Sequence, residues 1–164
     1  MTQYILTNKE MAKADLLTIE SGISSLDLMF NAGKKVFNNL PVQRGKRALF
    51  ICGPGNNGGD GYVAADLILK QGMEIDIYCP ISKAKESNDN LHYKQKLNKS
   101  LFVSKIRSLS NYCYVVDALF GTGLSRTISD DLSSLVSKIN QSKLDVFSVD
   151  IPSGINGDLS LIHI

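Results

Sequence analysis

A glycine-rich segment between two apolar runs does most to limit how this chain can fold. Residues 53–61 read GPGNNGGDG, directly after the apolar run 48–52 and directly before the apolar-periodic run 62–70. Glycine permits positive φ and lets the backbone approach a ligand closely. The order therefore predicts a strand, a tight loop and a helix. The free N–H groups at the start of that helix would favour an anion.

The rest of the chain alternates apolar strands with helices. Residues 8–38 predict two helices that Gly22 separates, with Ser24 or Ser25 as the cap of the second. Later segments predict strands at 48–52, 74–79, 101–103, 113–117 and 144–149, helices at 62–70, 91–97 and 130–139, and a polar loop at 81–90. This alternation predicts an α/β fold, a Rossmann-like three-layer α/β/α sandwich with a mostly parallel central sheet. We expect a single domain over residues 1–164.

The charge and the cysteines narrow the function classes. Eighteen basic and sixteen acidic residues give a net charge of +2, which offers no electrostatic case for binding nucleic acid or a membrane surface. Three cysteines without a CxxC pair predict free thiols in a reducing compartment. Because the sequence shows neither a signal peptide nor an apolar run of spanning length, we expect a cytoplasmic protein.

Three polar loops should meet at one edge of the sheet. They follow predicted strands at residues 53–61, 117–127 and 150–157. The carboxyl ends of parallel strands lie at one edge, where ligands of open α/β sheets bind. The sequence thus predicts one cleft that receives the oxygen-bearing side chains of Asn56, Asn57, Asp60, Asp117, Asp150 and Ser153.

The first loop departs from the two common nucleotide-binding patterns. It lacks the Gly-Lys-Ser/Thr sequence of a P-loop, which disfavours ATP hydrolysis. Residues 53–58 fit GxGxxG formally, but Cys79 and Pro80 stand where an acidic residue should bind the ribose of NAD. A standard hydride-transferring dehydrogenase is therefore weakly supported.

Three motifs together resemble those of one known family. Residues 53–61 (GPGNNGGDG), 116–124 (VDALFGTGL) and 149–154 (VDIPSG) resemble the NAD(P)HX epimerases, the YjeF N-terminal domain family. The segment 20–33 resembles the helices that precede this fold, so the likeness spans nearly the whole chain. The family continues beyond the position of Gly157 and Asp158 with further strands and a helix. Here a short apolar tail follows, and we expect that the C-terminal part of the family domain is missing.

The resemblance implies an activity and its ligands. The family repairs nicotinamide cofactors by interconverting the R and S forms of NADH or NADPH hydrated at C6 (NADHX and NADPHX). The resemblance implies a potassium ion held near Asn57, Asp117 and Ser153. It also implies substrate contacts from Asn56, Asn57, Gly58, Gly59, Asp60, Gly121, Thr122, Gly123, Leu124, Ser125, Arg126, Thr127 and Asp150. Oxygen atoms are the ligands that hard cations prefer, which suits potassium.

A mechanism and a set of partners follow from this resemblance. Two aspartates end predicted strands at the cleft, and we expect Asp117, or else Asp150, to be the catalytic acid and base. We also expect a homodimer, and functional coupling to an ADP- or ATP-dependent dehydratase that acts on the S form. Many family members carry that dehydratase as a second domain, which this sequence lacks.

Two other functions stay open at the level of sequence. One is a non-catalytic nucleotide-binding or scaffolding domain that kept the cleft without turnover. The other is a hydride-transferring oxidoreductase, which the missing ribose-binding acid disfavours. Following the R/S ratio of hydrated NADH in the presence of the protein would distinguish these functions.

Overall fold

Five parallel strands form the centre of the part of the molecule that the structure describes. The structure is a computed structural model that describes residues 6–81, 84–124 and 127–155. The strand order is β3-β2-β1-β4-β5, and every neighbouring pair is parallel. The predicted parallel sheet is therefore confirmed. The strands are β1 Arg47–Cys52, β2 Glu74–Tyr78, β3 Phe102–Val103, β4 Tyr114–Ala118 and β5 Asp145–Ser148.

In the part of the chain that the structure describes, five α-helices accompany the sheet, namely α1 Asn8–Glu20, α2 Ser25–Phe37, α3 Asn56–Lys70, α4 Asn88–Lys94 and α5 Asp130–Gln141. Thr7 caps α1 in a capping box with Glu10, and Ser24 caps α2 by accepting a hydrogen bond from the Asp27 N–H. Gly22 separates these two helices at a φ of 102°, as its position in the sequence predicts. Within the described residues, no helix has the length and apolar character that crossing a bilayer requires.

Alternating side chains of the central strands build a core on each face of the sheet. Phe50 of β1 and Val116 of β4 join one cluster, in which Tyr62 and Ile68 of α3 cover the sheet. Leu49, Ile51 and Val115 point to the other face, where α5 covers them. Helices on both faces complete the predicted three-layer sandwich, because strands buried on both sides need cover on both sides.

The main correction concerns the start of α3. The sequence predicts a loop as far as Gly61, whereas the helix begins at Asn56. A Cβ at Gly58 would lie 2.0 Å from the carbonyl oxygen of Gly53, and one at Gly61 would lie 2.5 Å from the Cβ of Ala118. A Cβ at Gly59 would lie 2.4 Å from the Met29 sulfur. These glycines therefore allow close packing of α3 against the end of β1, against β4 and against α2.

The start of α4 is a second correction. The segment predicted as a polar loop contains its first turn, Asn88 to Asn90, and Ser87 is the N-cap. The helix ends at Lys94, earlier than predicted. The predicted third strand forms only over Phe102 and Val103, at one edge of the sheet. The short apolar tail, residues 159–164, on which the prediction of a missing C-terminal part depends lies outside the described residues.

Candidate active site

A cavity of about 1100 Å³ lies where β1, β4 and β5 end. The segments that follow these three strands all contribute to its wall, as expected for parallel strands whose carboxyl ends share one edge. Side chains with polar groups in the lining include Asn56, Asn57 and Asp60 of α3, Thr122 after β4, and Asp150 after β5. The three loops of the prediction thus meet at one cleft.

Asp117 at the end of β4 is tied into a network of hydrogen bonds. Ser153 donates to it twice, from its hydroxyl to Oδ1 at 2.6 Å and from its backbone N–H to Oδ2 at 2.8 Å. The Leu119 N–H donates to Oδ1 at 3.2 Å. Burial raises the pKa of this carboxyl, while the hydrogen bonds from Ser153 and Leu119 oppose that rise. Asp117 therefore fixes the turn that carries Ser153, beside the cavity wall.

Asn57 joins α3 to the same network. Its Nδ2 donates to the carbonyl oxygen of Phe120 at 2.8 Å, and the Phe120 N–H donates to the Ser153 hydroxyl at 3.1 Å. The Asn57 Oδ1 is buried and has no hydrogen-bond partner among the described residues. A buried acceptor without a donor is costly unless a water or a cation satisfies it. The three predicted ligands, Asn57, Asp117 and Ser153, are thus brought together around Phe120.

The oxygen-rich character of this cluster limits the kind of metal it can hold. In the described part of the chain, no group of three or more His, Cys, Asp or Glu side chains could hold a metal ion. A cation between Asn57, Asp117 and Ser153 would have one carboxylate, one amide oxygen and one hydroxyl nearby. That donor set fits a hard cation of low charge and not a metal that prefers nitrogen or sulfur.

Asp150 lies on the cavity wall and holds the second glycine segment. Its Oδ2 accepts a hydrogen bond from the Thr122 N–H at 2.7 Å. A Cβ on Gly121 would lie 2.5 Å from that same oxygen and 3.4 Å from the Asn57 Cγ. Glycine at position 121 therefore lets the segments after β4 and β5 and the first turn of α3 approach one another.

Asp60 is a half-buried residue whose side chain lies in the cavity lining. Burial raises its pKa to about 7, and the negative charges of Asp150 and Asp15 contribute to the rise. Among the described residues its carboxyl has no hydrogen-bond donor. A carboxyl that titrates near neutral pH inside a cleft has the properties of a general acid or base.

Helix α1 closes one side of the cavity, which the sequence did not predict. Asn8, Met11, Ala12 and Asp15 recur at helical spacing and all line the cavity. The Asn8 Nδ2 also donates to the Thr122 carbonyl oxygen at 2.8 Å. The only sequence signal for this role is the 8, 11, 12, 15 spacing of one helix face.

Other predicted site residues lie at the edge of the cavity or away from it. Gly123 and Leu124 line it, whereas Gly58 and Gly59 are buried between helices. Thr127 is exposed and is not part of the lining. Ser125 and Arg126 lie outside the described residues. The substrate contacts predicted for these positions stay predictions.

Asn90 of α4 supports the glycine segment, a role that the sequence did not predict. Its side chain is fully buried, and its Nδ2 donates to the carbonyl oxygens of Gly53 at 3.1 Å and Gly55 at 2.8 Å. Two hydrogen bonds from one amide fix the chain direction between the end of β1 and the start of α3. No pattern in the sequence signals a contact between residues so far apart.

The sequence matches the family described as YjeF-related protein N-terminus over residues 25–163. This chain belongs to that family. The matched region contains all three motifs that meet at the cavity.

Named members of the family share most of this chain. A protein of Lentilactobacillus buchneri named NAD(P)H-hydrate epimerase is 34% identical over 165 residues, covering 96% of this chain and 76% of its own length. One of Oenococcus oeni with the same name is 36% identical over 164 residues, covering 96% of this chain and 78% of its own length. The crystal structure of the yeast protein ynu0 matches with a TM-score of 0.81 at 23% identity, over 98% of this chain and 75% of that one. That likeness confirms the fold.

Proposed function

We propose that the protein is an NAD(P)H-hydrate epimerase, an isomerase that interconverts the R and S forms of hydrated NADH and NADPH. The observation that carries the proposal is that the three family motifs meet at one large cavity, in a chain 34–36% identical to epimerases over nearly its whole length. A cavity of about 1100 Å³ lies at the upper end of the volumes that suit small-molecule ligands, and a dinucleotide is a large one.

The wall of the cavity supports binding of a dinucleotide. The first turn of α3, which begins at Asn56, offers backbone N–H groups for the pyrophosphate. Gly121 and Thr122, which follow β4, and Asp150, which follows β5, also line the cavity. We propose that these residues, with those predicted at 123–127, contact the substrate.

We propose that Asn57, Asp117 and Ser153 hold a potassium ion. The buried, unpaired Oδ1 of Asn57 and the carboxylate of Asp117 supply the kind of oxygen ligands that such a cation needs. When bound, the ion supplies a fixed positive charge that ties the first turn of α3 to the segments after β4 and β5. The protein residues perform the chemistry described next.

Epimerisation requires loss and return of one water at C6 of the nicotinamide ring. The ring nitrogen supplies the electron pair as the C6–O bond breaks, and an acid gives a proton to the leaving oxygen. This produces water and a planar iminium-like cation. Water then adds from the other face, and a base takes its proton. Carboxylates near the ring would also stabilise the cation.

The hydrogen bonds decide which aspartates suit these steps. Asp117 accepts three hydrogen bonds from Ser153 and Leu119, which leaves its carboxylate little freedom to exchange a proton with substrate. Asp150 and Asp60 both line the cavity. We therefore propose Asp150 and Asp60 as the groups that transfer protons, with Asp117 as a ligand of the cation and a support of the site.

The R/S ratio of hydrated NADH tests the function. Enzyme added to the pure S form should restore the equilibrium ratio much faster than buffer does, and chromatography measures both forms. Asp150→Asn should lower the rate by about a hundredfold or more while the protein stays folded, since a general acid or base contributes about that much. Asp145→Asn is the matched control, because it makes the same change at the exposed start of β5 and outside the cavity lining. A wild-type protein that leaves the ratio unchanged would show the proposal wrong.

The partners complete the proposal. A protein of Methanothermobacter thermautotrophicus named bifunctional NAD(P)H-hydrate repair enzyme is 33% identical over 174 residues, which cover 98% of this chain and 33% of that protein. We propose that this chain works with a dehydratase that consumes the S form. We also propose a homodimer formed through α1, and a cytoplasmic location in keeping with the free cysteines Cys52, Cys79 and Cys113.

A further inference from the structure

The first turn of α4 is hydrogen-bonded to the glycine segment but does not line the cavity. The Ser87 N–H donates to the Pro54 carbonyl oxygen at 3.0 Å, and the Asn90 Nδ2 donates to the carbonyl oxygens of Gly53 and Gly55. Neither Ser87 nor Asn90 lines the cavity. Any effect of this turn on a ligand must therefore pass through the segment 53–56.

The Ser87 hydroxyl determines which way the Asn56 amide faces. As the N-cap of α4, the Ser87 Oγ accepts a hydrogen bond from the Asn90 N–H at 3.4 Å. Its single hydrogen remains to be donated, and the Asn56 Oδ1 lies 2.9 Å away. An asparagine amide has one acceptor oxygen and one donor nitrogen. Since Ser87 engages the oxygen, the Asn56 Nδ2 is left for another partner.

Asn56 is itself part of the cavity wall. The residue is exposed, lines the cavity at the N-terminus of α3, and its Nδ2 has no partner among the residues that the structure describes. The neighbouring backbone N–H groups of α3 favour an anionic oxygen at the same place. A donor pointing there would add to their effect, whereas an acceptor would oppose it.

We propose that Ser87 is a positioning residue that orients the Asn56 amide as a hydrogen-bond donor to a phosphate oxygen of the dinucleotide substrate. The role rests on the proposed epimerase function, and it assigns a task to a residue outside the cavity wall. The loss of one such hydrogen bond weakens binding by about 3- to 10-fold, and the effect belongs to substrate binding and not to the chemical step.

Three substitutions of Ser87 separate this role from helix capping. Ser87→Thr keeps the hydroxyl and should keep the wild-type KM. Ser87→Asp remains a good N-cap but cannot donate a hydrogen, so its carboxylate should attract the Asn56 Nδ2 and turn the amide oxygen towards the cavity. Ser87→Ala removes both the cap and the donor. Ser24→Ala, at the N-cap of α2, is the matched control because it loses a similar cap away from the cavity.

The experiment measures kcat and KM for epimerisation of NADPHX, and the Kd of NADPH by calorimetry. Ser87→Ala should raise KM and Kd by about 3- to 10-fold and Ser87→Asp by about tenfold or more, with kcat within about twofold of wild type. Ser24→Ala should leave KM unchanged. Thermal unfolding checks that each variant is folded, and the Thr and Asp variants suffice if Ser87→Ala is not.

Two results would overturn the inference. One is a wild-type KM and Kd for Ser87→Asp, which would reduce Ser87 to a helix cap. The other is an equal loss of affinity in Ser24→Ala. If the wild type does not epimerise NADPHX, the proposed function fails instead, and the Kd of NADPH across the same variants still decides whether Ser87 positions Asn56.

Discussion

The two aspartates at the ends of β4 and β5 have different hydrogen-bond partners in the site. Asp117 and Asp150 both end apolar strands in the sequence, yet their surroundings differ. Asp117 is bound by Ser153 and Leu119, whereas Asp150 faces the cavity and accepts one hydrogen bond from Thr122. Sequence position alone could not separate these roles, because the partner of a carboxyl depends on which distant loop folds against it.

Asp60→Asn should change how stability depends on pH. The folded carboxyl has a pKa of about 7 against 3.8 for a free side chain, so the folded protein binds this proton more tightly than the unfolded chain does. The free energy of unfolding of the wild type should therefore fall as the pH rises from about 4 to about 7. Asparagine does not titrate, so Asp60→Asn should become more stable than wild type across that range, by about 2–4 kcal/mol at pH 8.

Urea unfolding at several pH values measures this difference. Asp145→Asn, an exposed residue at the start of β5, is the control and should follow the wild type. A gap between Asp60→Asn and wild type that stays constant with pH would mean that Asp60 is not held at a raised pKa.

Elements were easier to predict than the way their ends pack. The alternation of apolar strands and helices carried enough information for the parallel sheet, because burial on both faces leaves a continuous apolar run in β1 and β4. The prediction of where α3 starts was wrong because glycine is a poor helix former in isolation. Gly58 and Gly61 are helical here since packing against Gly53 and Ala118 outweighs their local preference.

Gly58→Ala and Gly55→Ala should differ sharply at the start of α3. A Cβ on Gly58 would lie 2.0 Å from the Gly53 carbonyl oxygen, a backbone atom that cannot move without shifting the end of β1. At Gly55, no atom of the described residues lies within 4 Å of the added Cβ, apart from atoms of adjacent residues and of the helix backbone, and φ is −89°. We expect Gly58→Ala to lower the free energy of unfolding by about 3 kcal/mol or more, and Gly55→Ala by less than about 1 kcal/mol.

Chemical denaturation of both variants tests this packing argument, and substrate affinity adds a second measure. Gly58→Ala should also weaken binding, because the displaced segment carries Asn56. Equal stabilities for the two variants would show that the close approach of α3 to β1 is not required.

At the scale of the whole molecule, α1 has an inner face at the cavity and an apolar outer surface. None of its residues is buried, and Leu16 and Leu17 are 55% and 53% exposed. Ile19 and Ile23 are also 40% and 44% exposed, but Ile19 lies on the same face of α1 as the cavity-lining Asp15, and Ile23 lies beyond the end of the helix. Large apolar side chains that are exposed next to one another, as Leu16 and Leu17 are, often mark interaction surfaces in folded proteins. A helix that contacts the cavity on one side and a second subunit on the other would link the site to assembly.

The homodimer proposal predicts that polar substitutions on this patch separate the subunits. Leu16→Gln with Leu17→Gln removes apolar area without adding charge, so the double variant should sediment as a monomer where the wild type sediments as a dimer. Lys9→Gln with Lys13→Gln changes the same helix at exposed polar positions and should stay dimeric. Sedimentation velocity at several concentrations measures both.

Because the inner face of α1 lines the cavity and Asn8 binds Thr122, the monomeric variant should also bind NADPH more weakly. A wild type that is monomeric at all concentrations, or a dimer that persists after the leucine substitutions, would show that Leu16 and Leu17 do not form a dimer interface.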